Sequence, residues 1–364
     1  MATKPYSHLV ARIPASVPFV GPEAIERRES QRFRVRAGAN ESAFGISPQA
    51  RAAMASAVPT VSHYGDPENF DLRSALAERH ETTIDHILVG SGIDGLFALL
   101  MHTLVDPGTP VVTSLGSYPT FNYFVTAYGG KLVSVPYSHD HTELSRLTDE
   151  AARQHARVLY LANPDNPTGT CHDRRALDEF VECVPDDCIL VLDEAYSDFV
   201  PPEELHPINV GDSRVVHLRT FSKAHGMAGL RIGYAVACRE LISACNKVRI
   251  QFGVNRLAQI GALASLQDSN FIRDVVAEVA RGRSEYEELG RELGLRTLPS
   301  QTNFVSFDFG EAERAGAVLK SLESRGVFVR SGVSPNNRLI RVTVGTEPER
   351  AEFAEAFRAV VDPS

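Results

Sequence analysis

A chain of 364 residues, 43% hydrophobic and 23% charged, has an ordinary globular composition and the length of roughly two domains. Its net charge of −9 opposes binding to nucleic acid or an anionic membrane surface, and no apolar run approaches the ~20 residues that span a bilayer. Pro14 and Pro18 interrupt the first apolar stretch, which lacks the hydrophobic segment of a secretory signal, so a cytoplasmic protein is expected.

Residues 1–45, rich in proline and arginine, read as an extended arm. From residue 85 to 240 short apolar runs alternate with helical stretches. Strands are predicted at 87–89, 110–113, 132–135, 158–162, 189–192, 215–218 and 232–236. Helices are predicted over 94–104, 118–127, 148–155 and 174–183. The strands are β-branched and leucine-rich without alternation, which fits a mostly parallel sheet buried on both faces by helices. Helices follow at 240–249, 257–267 and 271–293. The remainder predicts strands at 303–307, 327–329 and 339–344 with a helix over 312–325. The expected architecture is a large α/β domain over 46–270 and a smaller α+β domain over 271–364, which the arm joins. Five cysteines (Cys171, Cys183, Cys188, Cys238 and Cys245) form no CxxC pair and read as free thiols, with neither a disulfide framework nor a metal site.

Of 37 basic residues only five are lysine, and one of them, Lys223, has an unusual setting. It follows a predicted strand in Arg219-Thr220-Phe221-Ser222-Lys223-Ala224-His225-Gly226, flanked by hydroxyls and glycines, with Arg231 eight residues on. Such a lysine is either a surface charge in a loose turn or an amine used for covalent chemistry. The strand at 189–192 ends in Asp193-Glu194-Ala195-Tyr196, at the edge where open α/β sheets bind ligands. Asp193 either caps a helix or holds a proton on a heteroaromatic nitrogen. A third strand, 158–162, ends in the tight turn Asn163-Pro164-Asp165-Asn166-Pro167-Thr168-Gly169.

In order and spacing, these three motifs, the last extended through Gly229-Leu230-Arg231-Ile232-Gly233-Tyr234, resemble the class I/II pyridoxal-phosphate-dependent aminotransferases of fold type I. Ala39-Asn40-Glu41, Tyr64-Gly65-Asp66-Pro67 and Leu339-Ile340-Arg341-Val342-Thr343-Val344-Gly345-Thr346 resemble the histidinol-phosphate aminotransferase branch, and the likeness extends over residues 18–361. It implies pyridoxal 5′-phosphate as cofactor. It also implies ping-pong transfer of an amino group between an amino acid or amino-phosphate and a 2-oxo acid. Lys223 is then the Schiff-base lysine and the acid and base of the proton shift, and Asp193 pairs with the pyridine nitrogen. Asn166 and Tyr196 reach the ring's O3′, and Phe121 stacks on the ring face. For the phosphate the resemblance implies Gly92, Ile93 and Asp94 at a helix N-terminus, Ser222, Arg231, and Tyr64 from a neighbouring subunit, hence a homodimer. Arg341 and Arg330 take the substrate's anionic groups, with Phe19, Asn40 and Asn166 beside them. The chain departs from the branch pattern at Phe19, where a tyrosine is usual, at Ser42-Ala43-Phe44, at Gly95 and at His225. The same scaffold also supports decarboxylation of amino-acid phosphates and oxidation of amino acids, which differ in the Cα bond that breaks.

Overall fold

The computed structural model describes residues 6–13, 20–332 and 334–362. β1 (Val35–Arg36) lies in the arm. β2 (Ile87–Gly90), β3 (Pro110–Ser114), β4 (Lys131–Val135), β5 (Val158–Ala162), β6 (Ile189–Asp193), β7 (Val215–Thr220) and β8 (Gly233–Val236) form one sheet in the order β2-β8-β7-β6-β5-β3-β4. Only β8 runs antiparallel to its neighbours, so the other six strands end on a common edge. The lack of alternation has a direct cause: each face meets its own apolar layer. Val158, Tyr160 and Ala162 join Phe97 and Phe121 on one side, while Leu159 and Leu161 join Leu147, Leu177 and Phe180 on the other.

A second sheet holds β9 (Arg296–Thr297), β10 (Phe304–Asp308), β12 (Arg330–Ser331) and β13 (Leu339–Thr343), antiparallel in the order β12-β13-β10-β9. β11 (Val327–Phe328) instead pairs in parallel with β1. The strand expected over 327–329 is therefore two short ones, because its first residues bond the arm and the next ones bond β13. Phe304, Phe307, Phe353, Phe357 and Tyr286 fill the core beside this sheet. Asp140, in the loop after β4, and Asp308 share Arg296 and Arg338, an ion cluster joining the edges of the two sheets.

Three further differences from expectation have local causes. The arm is not wholly extended: Pro22–Glu29 is helical, started by Pro22, with Glu23 in its first turn and Arg27 and Arg28 in its last, each complementing the helix dipole. The helix expected over 148–155 begins earlier, at Leu144. Helices at Pro48–Ala57, Phe70–Arg79 and Glu347–Val361 were not expected. The first has Ser47 capping the Ala50 N–H, and the last has a Thr346/Glu349 capping box.

Candidate active site

The ends of β5, β6 and β7 and the arm residue Asn40 surround one cleft. Asp193 is the last residue of β6 and is buried. Its Oδ2 accepts a 2.8 Å bond from the Tyr160 hydroxyl, and its Oδ1 a 3.0 Å bond from the Ala195 N–H. Burial pushes its carboxyl up to about 7. The next residue behaves oppositely. Burial alone would raise Glu194 too, but the Arg219 guanidinium at 2.9 Å and His217 hold it at about 2.

Lys223 leaves β7 through a turn in which the Thr220 hydroxyl donates to Ser222 Oγ and accepts the Ser222 N–H. The loop then runs backbone against backbone past the arm; a Cβ on Gly226 would lie 1.8 Å from the Gly45 carbonyl oxygen. That approach brings Lys223 Nζ to the Asn40 carbonyl at 2.9 Å and to 5.5 Å from the centre of the Tyr196 ring. Burial, then the nearby Arg341 charge, lowers the Lys223 amine to about 8. The Tyr196 oxygen accepts from Asn40 Nδ2 at 2.8 Å and from Asn166 Nδ2 at 3.4 Å, and burial pushes its phenol up to about 12. Asn166 is aimed by the turn it belongs to, where buried Asp165 accepts from Tyr137 and Thr168. Its Oδ1 accepts from Arg341 Nη1. Arg341 Nη2 donates to the Gly38 carbonyl, and its buried Nε has no hydrogen-bond partner in the described structure. Arg330 donates to the Val20 carbonyl at 2.6 Å; burial and Arg341 lower its guanidinium to about 10.

A second cluster stands at the start of the helix Gly92–Leu104. Arg231 reaches Asp94 at 3.2 Å, Ser222 Oγ at 3.5 Å and the Ala228 carbonyl at 3.0 Å. Gly92 has φ +74°, and a Cβ there would lie 2.6 Å from Arg231 Nη2. The helix start, the hydroxyl and the guanidinium together suit an anion.

Most of the residues named from sequence thus fall into these two neighbouring clusters of contacts, with three exceptions. Phe121 is fully buried and stacks on Tyr160 at 4.0 Å and 12°, so it presents no face to the cleft. The aromatic there is Tyr118, half-buried and donating to Asp94 at 3.2 Å. The sequence holds the signal: Pro119 opens the helix Pro119–Ala127, leaving Tyr118 at its mouth and turning Phe121 into the core. Tyr64 is 76% exposed and stacks on Phe252 at 4.6 Å, away from these partners. Phe19 lies outside the described residues. Sequence reasoning also missed Tyr160, Asn303 (which donates to the Asn40 carbonyl) and the Arg219–Glu194 pair.

A buried carboxylate, a buried amine of lowered basicity, an anion cradle that a methyl group would fill and an unsatisfied Arg341 Nε are together the donor set for a phosphorylated heteroaromatic aldehyde. Comparison with known proteins agrees. The family profile described as aminotransferase class I and II matches residues 35–357. Histidinol-phosphate aminotransferase 2 of Carboxydothermus hydrogenoformans is 37% identical over 348 residues, covering 93% of this chain and 94% of that protein. Histidinol-phosphate aminotransferase of Moorella thermoacetica is 32% identical, covering 93% and 88%. The crystal structure of the Sinorhizobium meliloti histidinol-phosphate aminotransferase in complex with pyridoxal-5′-phosphate is 40% identical. It covers 100% of this chain and 99% of that one, with a TM-score of 0.95. The chain belongs to the class I and II aminotransferases: it is a fold type I transaminase, and pyridoxal phosphate is its cofactor.

Proposed function

We propose that this aminotransferase takes histidinol phosphate, or an amino-phosphate very like it, as amino donor and a 2-oxo acid as acceptor, and that it works as a homodimer in the cytoplasm. Asp193, Asn166, Tyr196 and Lys223 would hold the cofactor's ring, and the backbone of Gly92, Ile93 and Asp94 with Ser222 and Arg231 its phosphate. When bound, pyridoxal phosphate supplies an electrophilic carbon and a ring that takes up charge from the substrate's Cα.

The protein's own groups do the rest. Lys223, lowered to about 8, keeps a sizeable uncharged fraction near neutral pH, so its Nζ can both accept and return a proton. The Asp193 carboxylate, once ionised, would hold a proton on the ring nitrogen. The Tyr196 hydroxyl and Asn166 Nδ2 lie 3.4 Å apart, and together they would steady a ring oxygen. Tyr118, at the mouth of its helix, is the aromatic placed to cover the ring in place of Phe121.

The observation that carries the substrate reading is the pairing of Arg330 and Arg341, opposite one another across β12 and β13 and close enough that the Arg341 charge, after burial, lowers the basicity of Arg330. Two guanidiniums at one cleft suit a substrate pair whose members each bring an anionic group, a phosphate in one and a carboxylate in the other. The names of the relatives support the same choice. The homodimer is supported by Tyr64, Phe252 and Ile250, which form an exposed apolar patch 76%, 49% and 81% open. A second copy seated there would cover it and bring its own Tyr64 toward the phosphate site.

Single half-reactions with a panel of amino acids and histidinol phosphate, scored by the spectral change of the bound cofactor, test the proposal. Histidinol phosphate should convert the cofactor fastest. If dicarboxylic amino acids react and histidinol phosphate does not, the substrate reading fails.

A further inference from the structure

Behind the cleft, one strand away from Asp193, lies a tyrosine that none of the roles above uses. Ala162 on β5 is the register partner of Asp193 on β6, so Tyr160, two residues earlier on the same face, is its diagonal neighbour. The ring spans that diagonal and its hydroxyl meets Asp193 Oδ2 at 2.8 Å. Tyr160 is 1% exposed and cannot swing away. Phe121 stacks flat on it at 4.0 Å, and Phe97 meets it edge-on at 5.6 Å and 80°. In the described structure, its hydroxyl is the only side-chain donor to Asp193; the other oxygen takes the Ala195 N–H.

We propose that Tyr160, clamped by Phe121, is a positioning residue that fixes the orientation and negative charge of Asp193, so that the carboxylate can hold a proton on the cofactor's ring nitrogen. The proposal rests on the assignment of Asp193 made above. The physical need is plain. Among the described residues, the other titratable groups around Asp193 are Glu194 and Tyr196 from the exit of β6, Asp94 from the helix Gly92–Leu104, and Tyr118 at the start of Pro119–Ala127. The two carboxylates oppose its ionisation, and the two phenols carry no positive charge. A buried carboxylate in that company keeps its charge through hydrogen bonds, and Tyr160 provides the one that depends on a side chain. Its own phenol is raised well above the ordinary range by burial and by Asp193, so it stays protonated and remains a donor. The mistaken reading of Phe121 finds its explanation here: the residue serves the site from beneath, through Tyr160.

The test compares Tyr160→Phe, Asp193→Asn and a protein carrying 3-fluorotyrosine in place of Tyr160. Pyridoxal phosphate binding to each cofactor-free protein is titrated between about pH 5.5 and 8.5, beside thermal unfolding of the cofactor-free forms at each pH. Tyr160→Phe should weaken binding about tenfold near neutrality and move its acid-side loss up by about one pH unit. The fluorinated phenol, a stronger donor of almost the same shape, should move that limb down. A Tyr160→Phe protein that binds with the parent's pH dependence, whatever its melting temperature, overturns the proposal. Should that variant not fold, the fluorotyrosine protein decides alone, and an unmoved limb is then the refutation. If Asp193→Asn leaves binding and its pH dependence unchanged, the assignment of Asp193 itself falls and this inference with it.

Discussion

Gly92→Ala is the sharpest perturbation of the anion cradle. The substitution has two separable effects. The backbone sits at φ +74°, where a side chain costs about 1–2 kcal/mol. The new methyl carbon would also lie 2.6 Å from Arg231 Nη2 and 3.1 Å from its Cζ, so the guanidinium must leave. Arg231 is held there by Asp94, Ser222 and the Ala228 carbonyl, and moving it takes a charge-assisted contact away from the bound phosphate. Such a contact contributes about 1.5–3 kcal/mol, so the cofactor should bind about 10- to 100-fold more weakly. Gly108 supplies the control, with φ +93° and nothing within 4 Å of a Cβ among the described residues. Gly108→Ala carries the backbone strain without the collision. Thermal unfolding of the cofactor-free proteins should show both variants lowered by about 2 °C. Equilibrium binding of pyridoxal phosphate should show only Gly92→Ala impaired. If Gly92→Ala binds the cofactor as the parent does, or Gly108→Ala loses affinity equally, the placement of the phosphate against Arg231 is wrong.

Arg341→Lys should lower kcat/KM for the amino donor about 100-fold while leaving cofactor affinity within about twofold, since a point charge replaces a planar fork; steady-state kinetics and cofactor titration read the two. Phe307→Ala removes a fully buried ring packed 4.8 Å from Phe357, and should destabilise the protein by about 3–5 kcal/mol in denaturant unfolding. Asp193→Asn should cut turnover at least ~100-fold yet raise the stability of the cofactor-free protein at pH 8 by a few kcal/mol, with little change near pH 4. Unfolding at the two pH values checks the sign.

What could be read from the chain was local chemistry at strand ends. Asn166 sits in a turn marked by prolines and a glycine, Lys223 in one marked by hydroxyls and a glycine, and Asp193 in the contiguous Asp193-Glu194-Ala195-Tyr196, and the parallel sheet then brings those strand ends to one edge. What could not be read depended on partners distant in sequence. Tyr160 shows its use only once β5 and β6 are in register, and Val327 to Ser331 divide between two sheets because the arm, some 290 residues earlier, claims the first pair. The Phe121 error is of another kind. It was a local misreading by three residues, one helical turn, and the proline at position 119 marked where the helix begins. The helix Pro48–Ala57 was missed because its alanine-rich surface carries little apolar contrast, although Ser47 and Pro48 announce its start.

The adjacent pair Asp193 and Glu194 shows what separates a residue kept for folding from one kept for chemistry. Both are buried carboxylates one residue apart at the end of β6. Glu194 has Arg219 and His217, so it stays ionised down to about 2, against an ordinary 4.5. It therefore stabilises the fold above about pH 4.5 and loses that contribution as pH falls toward 2. Among the described residues Asp193 has no cation beside it, only a phenol and an amide N–H. Its folded form holds a proton up to about 7 where the unfolded chain releases it near 3.8, so stability falls as pH rises between those values. At pH 8 an ionised Asp193 opposes folding, and replacement by asparagine of nearly the same shape removes that opposition. A fold acquires nothing from such a residue. On the proposed assignment a cationic ring nitrogen would supply the missing partner, and the cofactor's affinity and the protein's stability at alkaline pH would then be two readings of one interaction. If Asp193→Asn instead destabilises the cofactor-free protein at pH 8, the carboxylate has a structural partner in solution and the separation drawn between these two neighbours does not hold.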